Sequence, residues 1–365
     1  MERTLIPWSR VSPRLDPRLG RTRPRGRVSP RLPVRLVVTL CTCLLAFHPA
    51  TADTVIYRTG KEHASRGVVT GTIADYAGGR LSIRNDAGVS QTIPAERIVE
   101  IQSNWTAAET AGDQALRDGK PTEAVQRYQQ ALREEQRAWV QRQIVAKLVG
   151  SYAQRDQFDL AGEAFLRLLQ SDPQTSHAAV IPLSWTTHSP SPAVQQRAAA
   201  WMANNQNSLS ALLGASWLLS TAQRAAAIQT LQRLLADRDP RVAMLAHTQL
   251  WRTRIVTAAP EEIQQWETWL QRMPSGLRGG PYSVVGQAWS SQGRSEKSAL
   301  AYLRVPLLYP ADHRLAASAL LSAGRELEKI GQVQEAVTLY REIVRDYAAA
   351  TAAAEARGRL EELSL

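Results

Sequence analysis

From Asp53 to about Gln102, apolar and polar residues alternate in short runs: "TVIYRT", "GVVTGTIADY", "RLSIRN", "QTIP" and "RIVEIQ". Alternation with period two, broken by "GKEHASRG", "AGG" and "NDAG", predicts five short antiparallel strands joined by tight turns. After "SNWTAAE" the period lengthens. Apolar and small residues now recur every three or four positions, in segments rich in Ala, Gln, Leu and Arg, which is the spacing of packed helices. The pattern therefore predicts a mainly α chain: an α-solenoid of helix-turn-helix repeats preceded by a small five-stranded β-barrel-like domain.

One arrangement recurs within the helical part. "GRELEKIGQVQEAVTLYREIVRDY" carries Gly324, Gly331, Ala336 and Tyr340. "ETAGDQALRDGKPTEAVQRYQQAL" has Gly112, Gly119, Ala124 and Tyr128 at the same separations, and "YSVVGQAWSSQGRSEKSALAYLRV" has Gly286, Gly293, Ser298 and Tyr302. A fourth copy, "VAKLVGSYAQRDQFDLAGEAFLRL", has Ala161 and Phe165, with Val149 and Asp156 where the others have glycine. Small residues at these places allow two helices to approach closely, and the aromatic one turn later covers the contact. Pro173 and Pro310 are expected to end the second helices of their repeats.

These matches resemble the tetratricopeptide repeat, a helix-turn-helix unit of 34 residues. The observed spacing of 37 to 38 residues implies second helices about a turn longer than in that unit. The last seventy-five or so residues look like the repeats of periplasmic envelope proteins, such as the Tol–Pal-associated coordinator and outer-membrane assembly lipoproteins. The alternating region resembles SH3-like and Sm-like barrels, and "DPRVAMLA" resembles a HEAT-type repeat. Asp239 is placed to cap a helix with Pro240 at its first position, and Ser191–Pro192 and Ala259–Pro260 mark two further starts. "SWTTHSPSP" reads as a loop and "MPSGLRGGP" as a hinge. The organisation expected is then 1–52 leader, 53–103 β domain, 104–174 tetratricopeptide-like repeats, 175–275 irregular HEAT-like repeats, and 276–365 C-terminal repeats.

Charge changes the picture only at the N-terminus. The net charge of +11 suggests a polyanionic partner, but residues 1–52 hold ten arginines against two acids, leaving 34 basic and 31 acidic side chains in the rest. The basic stretch precedes an apolar run, Leu36 to Phe47, and "HPATAD", the layout of a secretory signal peptide cleaved after Ala52. An uncleaved anchor is the alternative, although the run is short for a bilayer span. A start further in, at Val28 or Val34, would explain the long basic region. Both cysteines, Cys41 and Cys43, fall inside the apolar run, so the cleaved chain would carry neither disulfide nor thiolate.

No catalytic or phosphate-binding motif is present: no H-E-x-x-H, no glycine-rich phosphate loop and no G-x-S-x-G. His177 and His188 flank a loop without a carboxylate beside them, so no metal or other cofactor is expected. Trp139, Trp201, Trp217, Trp251 and Trp289 read as packing between helices. Trp266 and Trp269 read the same way, with a stacking platform for a sugar or peptide as the alternative.

A helical array offers a concave groove lined by its first helices. The resemblance would place Glu109, Asp113, Arg117, Gln143, Gln154, Gln287, Arg325 and Glu328 there, a polar lining suited to a peptide segment; the alternative is simply solvated helix faces. The expectation is a periplasmic or otherwise exported scaffold with protein or peptide partners in the cell envelope. It would be neither an enzyme nor a nucleic-acid binder, with no integral span after cleavage. The alternatives are nucleic-acid binding through an Sm-like barrel and the basic N-terminus, and a hydrolase with scattered catalytic residues.

Overall fold

A computed structural model of the chain describes residues 52–60, 65–204, 206–309 and 312–363. The expected signal sequence, both cysteines and Pro310 lie outside the described residues.

Five strands come first: β1 (Asp53–Thr59), β2 (Ser65–Ala77), β3 (Arg80–Arg84), β4 (Ser90–Pro94) and β5 (Ile98–Gln102). All neighbours are antiparallel, in the order β4-β3-β2-β1-β5. β2, at 13 residues, pairs with β1 through its first half and with β3 through its second, with a register shift between Ile73 and Asp75. Such an irregularity bends a strand. The bend brings Val55, Ile73, Leu81, Ile83 and Ile93 into one buried cluster. The predicted strands and their breaks correspond closely to those observed.

Fourteen α-helices follow among the described residues. Four helix pairs carry the recurring pattern: α1 (Ala107–Arg117) with α2 (Pro121–Glu134), α3 (Ala138–Gln154) with α4 (Phe158–Ser171), α10 (Gly279–Ser291) with α11 (Ser295–Leu308), and α12 (His313–Lys329) with α13 (Val333–Asp346). Between the second and third pairs lie α5 (Pro192–Ala203), α6 (Ser208–Leu218), α7 (Arg224–Leu234), α8 (Pro240–Trp251) and α9 (Pro260–Leu270); α14 (Ala352–Leu363) closes the array. Each of the four second helices has 14 residues. The extra turn sits instead in the first helices α3 and α12, at 17 residues each.

The same turn closes all four pairs. Gly119, Gly293 and Gly331 take positive φ (67°, 66° and 77°), and Asp156 is the one described non-glycine residue to do so, at 54°. The amide after each reaches back five residues: Lys120 to Ala115, Gln157 to Tyr152, Arg294 to Trp289 and Gln332 to Leu327, at 2.8–3.0 Å. This bond satisfies a carbonyl at the end of the first helix, as in a Schellman cap. The first glycine has a different task. A Cβ on Gly112, Gly286 or Gly324 would lie 2.6, 2.7 or 2.4 Å from the ring of Tyr128, Tyr302 or Tyr340. Ala124, Ala161, Ser298 and Ala336 are all fully buried one turn before the ring.

The other expected helix starts also hold. Asp239 accepts from Arg241 N at 2.9 Å ahead of Pro240, Ser191 caps α5 ahead of Pro192, and α9 begins at Pro260. All five tryptophans expected to pack are buried. Trp266 is buried too, stacked on Trp251 at 5.0 Å, and Trp269 meets Trp251 edge-on at 5.6 Å, so the pair packs between α8 and α9. The stretch 273–281, expected as a hinge, is packed against the core. Met273 and Leu277 are core residues, α10 starts at Gly279, and a Cβ on Gly280 would fall 1.9 Å from the Trp185 ring. One continuous apolar core runs from Val145 on α3 to Ala323 on α12.

The sheet is fastened to the array. Arg142 on α3 pairs with Asp75 and donates to Tyr76 O at 3.1 Å, and Gly78 N donates to Asp172 Oδ1 at 3.1 Å. Arg137 reaches Ser103 Oγ and Asn104 O, both at 2.7 Å. The β domain thus covers the N-terminal end of the helical core.

Gly324→Ala should lower stability by about 1–3 kcal/mol, because the added methyl must displace a fully buried ring, as measured by urea unfolding. Asp156→Gly should raise stability by up to about 1 kcal/mol, since glycine adopts the left-handed conformation without steric cost but loses more chain entropy; a calorimetric Tm at or below that of the parent would contradict it.

Candidate binding site

The eight residues expected along the groove divide into three groups. Glu109 and Asp113 stand one turn apart on α1, and Lys147 of α3 bridges them, its Nζ 2.8 Å from Glu109 Oε1 and 2.9 Å from Asp113 Oδ2. Asp113 also accepts from the Tyr128 hydroxyl at 2.6 Å. Glu109 is fully buried, and burial pushes its pKa up against the pull of Lys147. Burial and the Asp113 carboxylate together push the Tyr128 phenol up. This cluster ties the first pair to the second. Arg117 is exposed and its guanidinium bonds Gln114 Oε1 at 2.7 Å, while Gln143 lies half-buried on α3.

The second group is at the C-terminal end. Arg325 pairs with Glu355 and Glu328 with Arg359, both partners on α14, and Glu328 also accepts from the Tyr340 hydroxyl. Burial raises the Glu328 pKa, but Arg359 and Tyr340 outweigh it and hold the carboxyl below its usual range. α14 thereby takes up the two charges that the repeat pattern aims at the groove.

The third group is divided by a cavity of about 270 Å³: Gln154 lines it, and Gln287 holds Trp185 O of its wall from behind. Its walls come from α3, α8, α10 and α12, from residues 276–277 and Tyr309, and from the stretch 179–185. Residues 181–185 of that stretch are buried although they belong to no helix or sheet, so their backbone groups need partners. They have them. Trp217 Nε1 donates to Pro182 O at 2.9 Å, Ser184 N to Ser216 Oγ at 2.8 Å, Gln249 Nε2 to Ser184 O at 3.1 Å and Gln287 Nε2 to Trp185 O at 2.9 Å. Arg252 supplies the clamp behind it. Its guanidinium donates to Ser216 O and Gln249 Oε1, both at 2.7 Å, and to Thr186 O. Burial lowers its pKa to about 9, which leaves it charged at neutral pH.

Leu183, Trp185, Leu245, Leu277, Tyr309 and Leu315 make the cavity mainly apolar. Its polar groups are Gln154, Asp312 and Arg314. Asp312 is engaged as the cap of α12, accepting from Leu315 N at 3.0 Å. Arg314 lies with its guanidinium 4.8 Å above the Phe158 ring, on the facing pair, and its buried Nε has no hydrogen-bond partner. Burial pushes up the pKa of the nearby Asp156, and the Arg314 charge partly offsets this. The sequence reading marked the loop after Trp185 but not the wall before it. The apolar run "AAVIPLSW" was the signal available, and nothing along the chain ties Arg314 to Phe158.

The chain matches no family model and no curated protein.

Because its folded pKa is lowered, Glu328 stabilises the protein above the ordinary glutamate value of 4.5, and this contribution is lost as pH falls through the folded value. Arg359→Gln should therefore lower the urea midpoint at pH 7, by an amount that shrinks as pH falls below 4.5 and through the folded value; a difference independent of pH over that range would show that the pair does not act through charge.

Proposed function

We propose that the chain is an exported scaffold that binds a segment of a partner protein in the cell envelope through a helical array of tetratricopeptide type. The observation that carries this reading is the fourfold recurrence of one unit: the same positive-φ cap, the same 14-residue second helix and the same aromatic position after a small residue. Stacked units of this kind expose successive first helices along one side, and that surface suits extended segments. The fixed sheet supports a role as the cap that such an array needs at its end. Near-neutrality beyond residue 52 favours a protein partner over a nucleic acid. Export rests on the leader pattern alone.

Photo-crosslinkers placed at Arg117 and Gln143, followed by recovery from the native envelope fraction, should capture an envelope protein, and mass spectrometry should find a native N-terminus at Asp53. Capture of cytosolic proteins or nucleic acid alone, with the leader intact, would overturn the proposal.

A further inference from the structure

The cavity between α3, α10 and α12 has a chemistry that the packing of the array does not require. Its body is apolar, with two rings, Trp185 and Tyr309, fixed in its wall. Its polar end holds Arg314, whose buried Nε has no partner, and Gln154, whose side chain makes no hydrogen bond among the described residues, while the Asp156 carboxylate lies within electrostatic range of Arg314 without bonding it. A guanidinium held over a phenyl ring without a hydrogen bond is costly to keep half-buried. It is also poised to take both oxygens of a carboxylate in parallel.

A second observation comes from Gly150. It lies inside the 17-residue helix α3, where glycine costs about 1 kcal/mol relative to alanine. Close packing is not the reason, because a Cβ built there would meet no atom within 4 Å. The bare Cα of Gly150 leaves that part of the cavity open; Gly276, at the exposed rim, likewise has no atom near a built Cβ. Where glycines serve packing in this fold, as at Gly112 and Gly324, a ring fills the space against them.

We propose that this cavity binds an apolar chain ended by a carboxylate, with the carboxylate on Arg314 and Gln154 and the chain against Leu183, Trp185, Leu277 and Tyr309. Two sources present that chemistry, a free aliphatic acid and the C-terminal leucine of a peptide. The cavity lies among the first helices α3, α10 and α12, and Gln154 belongs to the expected groove, so the site shares that face with the scaffold reading but rests on the cavity's own chemistry.

Titration of the purified full chain, followed by tryptophan fluorescence and calorimetry, tests the proposal. The probes are decanoate with decanamide, and a short peptide ending in leucine as the free acid with its C-terminal amide. At least one acid should bind saturably, and its amide at least tenfold more weakly. Which acid binds identifies the source. Arg314→Gln should weaken the acid at least tenfold and leave the amide unchanged, with Arg314→Lys between them. Gly150→Leu, which fills the space, should abolish binding while the Tm stays equal or rises. The proposal is overturned if neither acid binds below millimolar concentration, if acid and amide bind alike, or if Gly150→Leu binds as the parent does.

Discussion

The helical part depends on one close approach, a tyrosine ring laid against a bare Cα. At Gly112, Gly286 and Gly324 the contact leaves no room for a methyl group. It sets how near the two helices of a pair stand, and a small buried residue on the second helix completes the fit. The phenol then finds an acceptor at the edge of the core, Asp113 for Tyr128 and Glu328 for Tyr340. A single side chain thus fixes helix separation and carries a polar bond outward. In the α3–α4 pair, Val149 and Phe165, both fully buried, occupy these positions, so an apolar contact serves there instead.

The irregular middle obeys a different constraint. Residues 181–185 pass through the core without secondary structure, and every such passage must find partners for its peptide groups. Side chains from α6, α8 and α10 supply them, and Arg252 lies behind the stretch bonded to neutral acceptors, Ser216 O, Gln249 Oε1 and Thr186 O. A delocalised guanidinium tolerates such a cage of neutral acceptors better than an ammonium would. The result is a rigid wall facing α3 and α12. The cavity exists because this wall, and not another helix, fills the interior.

The strands, the turn glycines and the helix starts at Pro192, Pro240 and Pro260 were legible along the chain because each is decided within a few residues. Period two, a positive-φ position or a proline at a first turn leaves a local mark. Asp156 shows the limit of that reading. It appeared as a departure from the glycine pattern, yet the chain bends there as in the other copies, since aspartate is among the few residues that tolerate the left-handed region. The stretch 273–281 had hinge composition, with three glycines and two prolines, but two of those glycines are there to admit the Tyr309 and Trp185 rings.

The polar residues of the first helices were harder to read. Repeat spacing assigns a face of a helix, and Glu109, Asp113, Arg325 and Glu328 came from that rule. Whether such a face meets solvent depends on what else arrives there, and Lys147 and α14 arrive from the helix after next, beyond the repeat unit itself. The pairing of Arg314 with Phe158, and the cavity beside them, arise only when α12 meets the α3–α4 pair. Periodicity and turn chemistry therefore determined the elements and the unit of repetition, because those follow from short-range sterics. The tertiary structure alone decided which charges are spent on packing and which donors are left without a partner, because that depends on helices that are not neighbours in the chain: α1 with α3, α12 with α14, and α12 with α4.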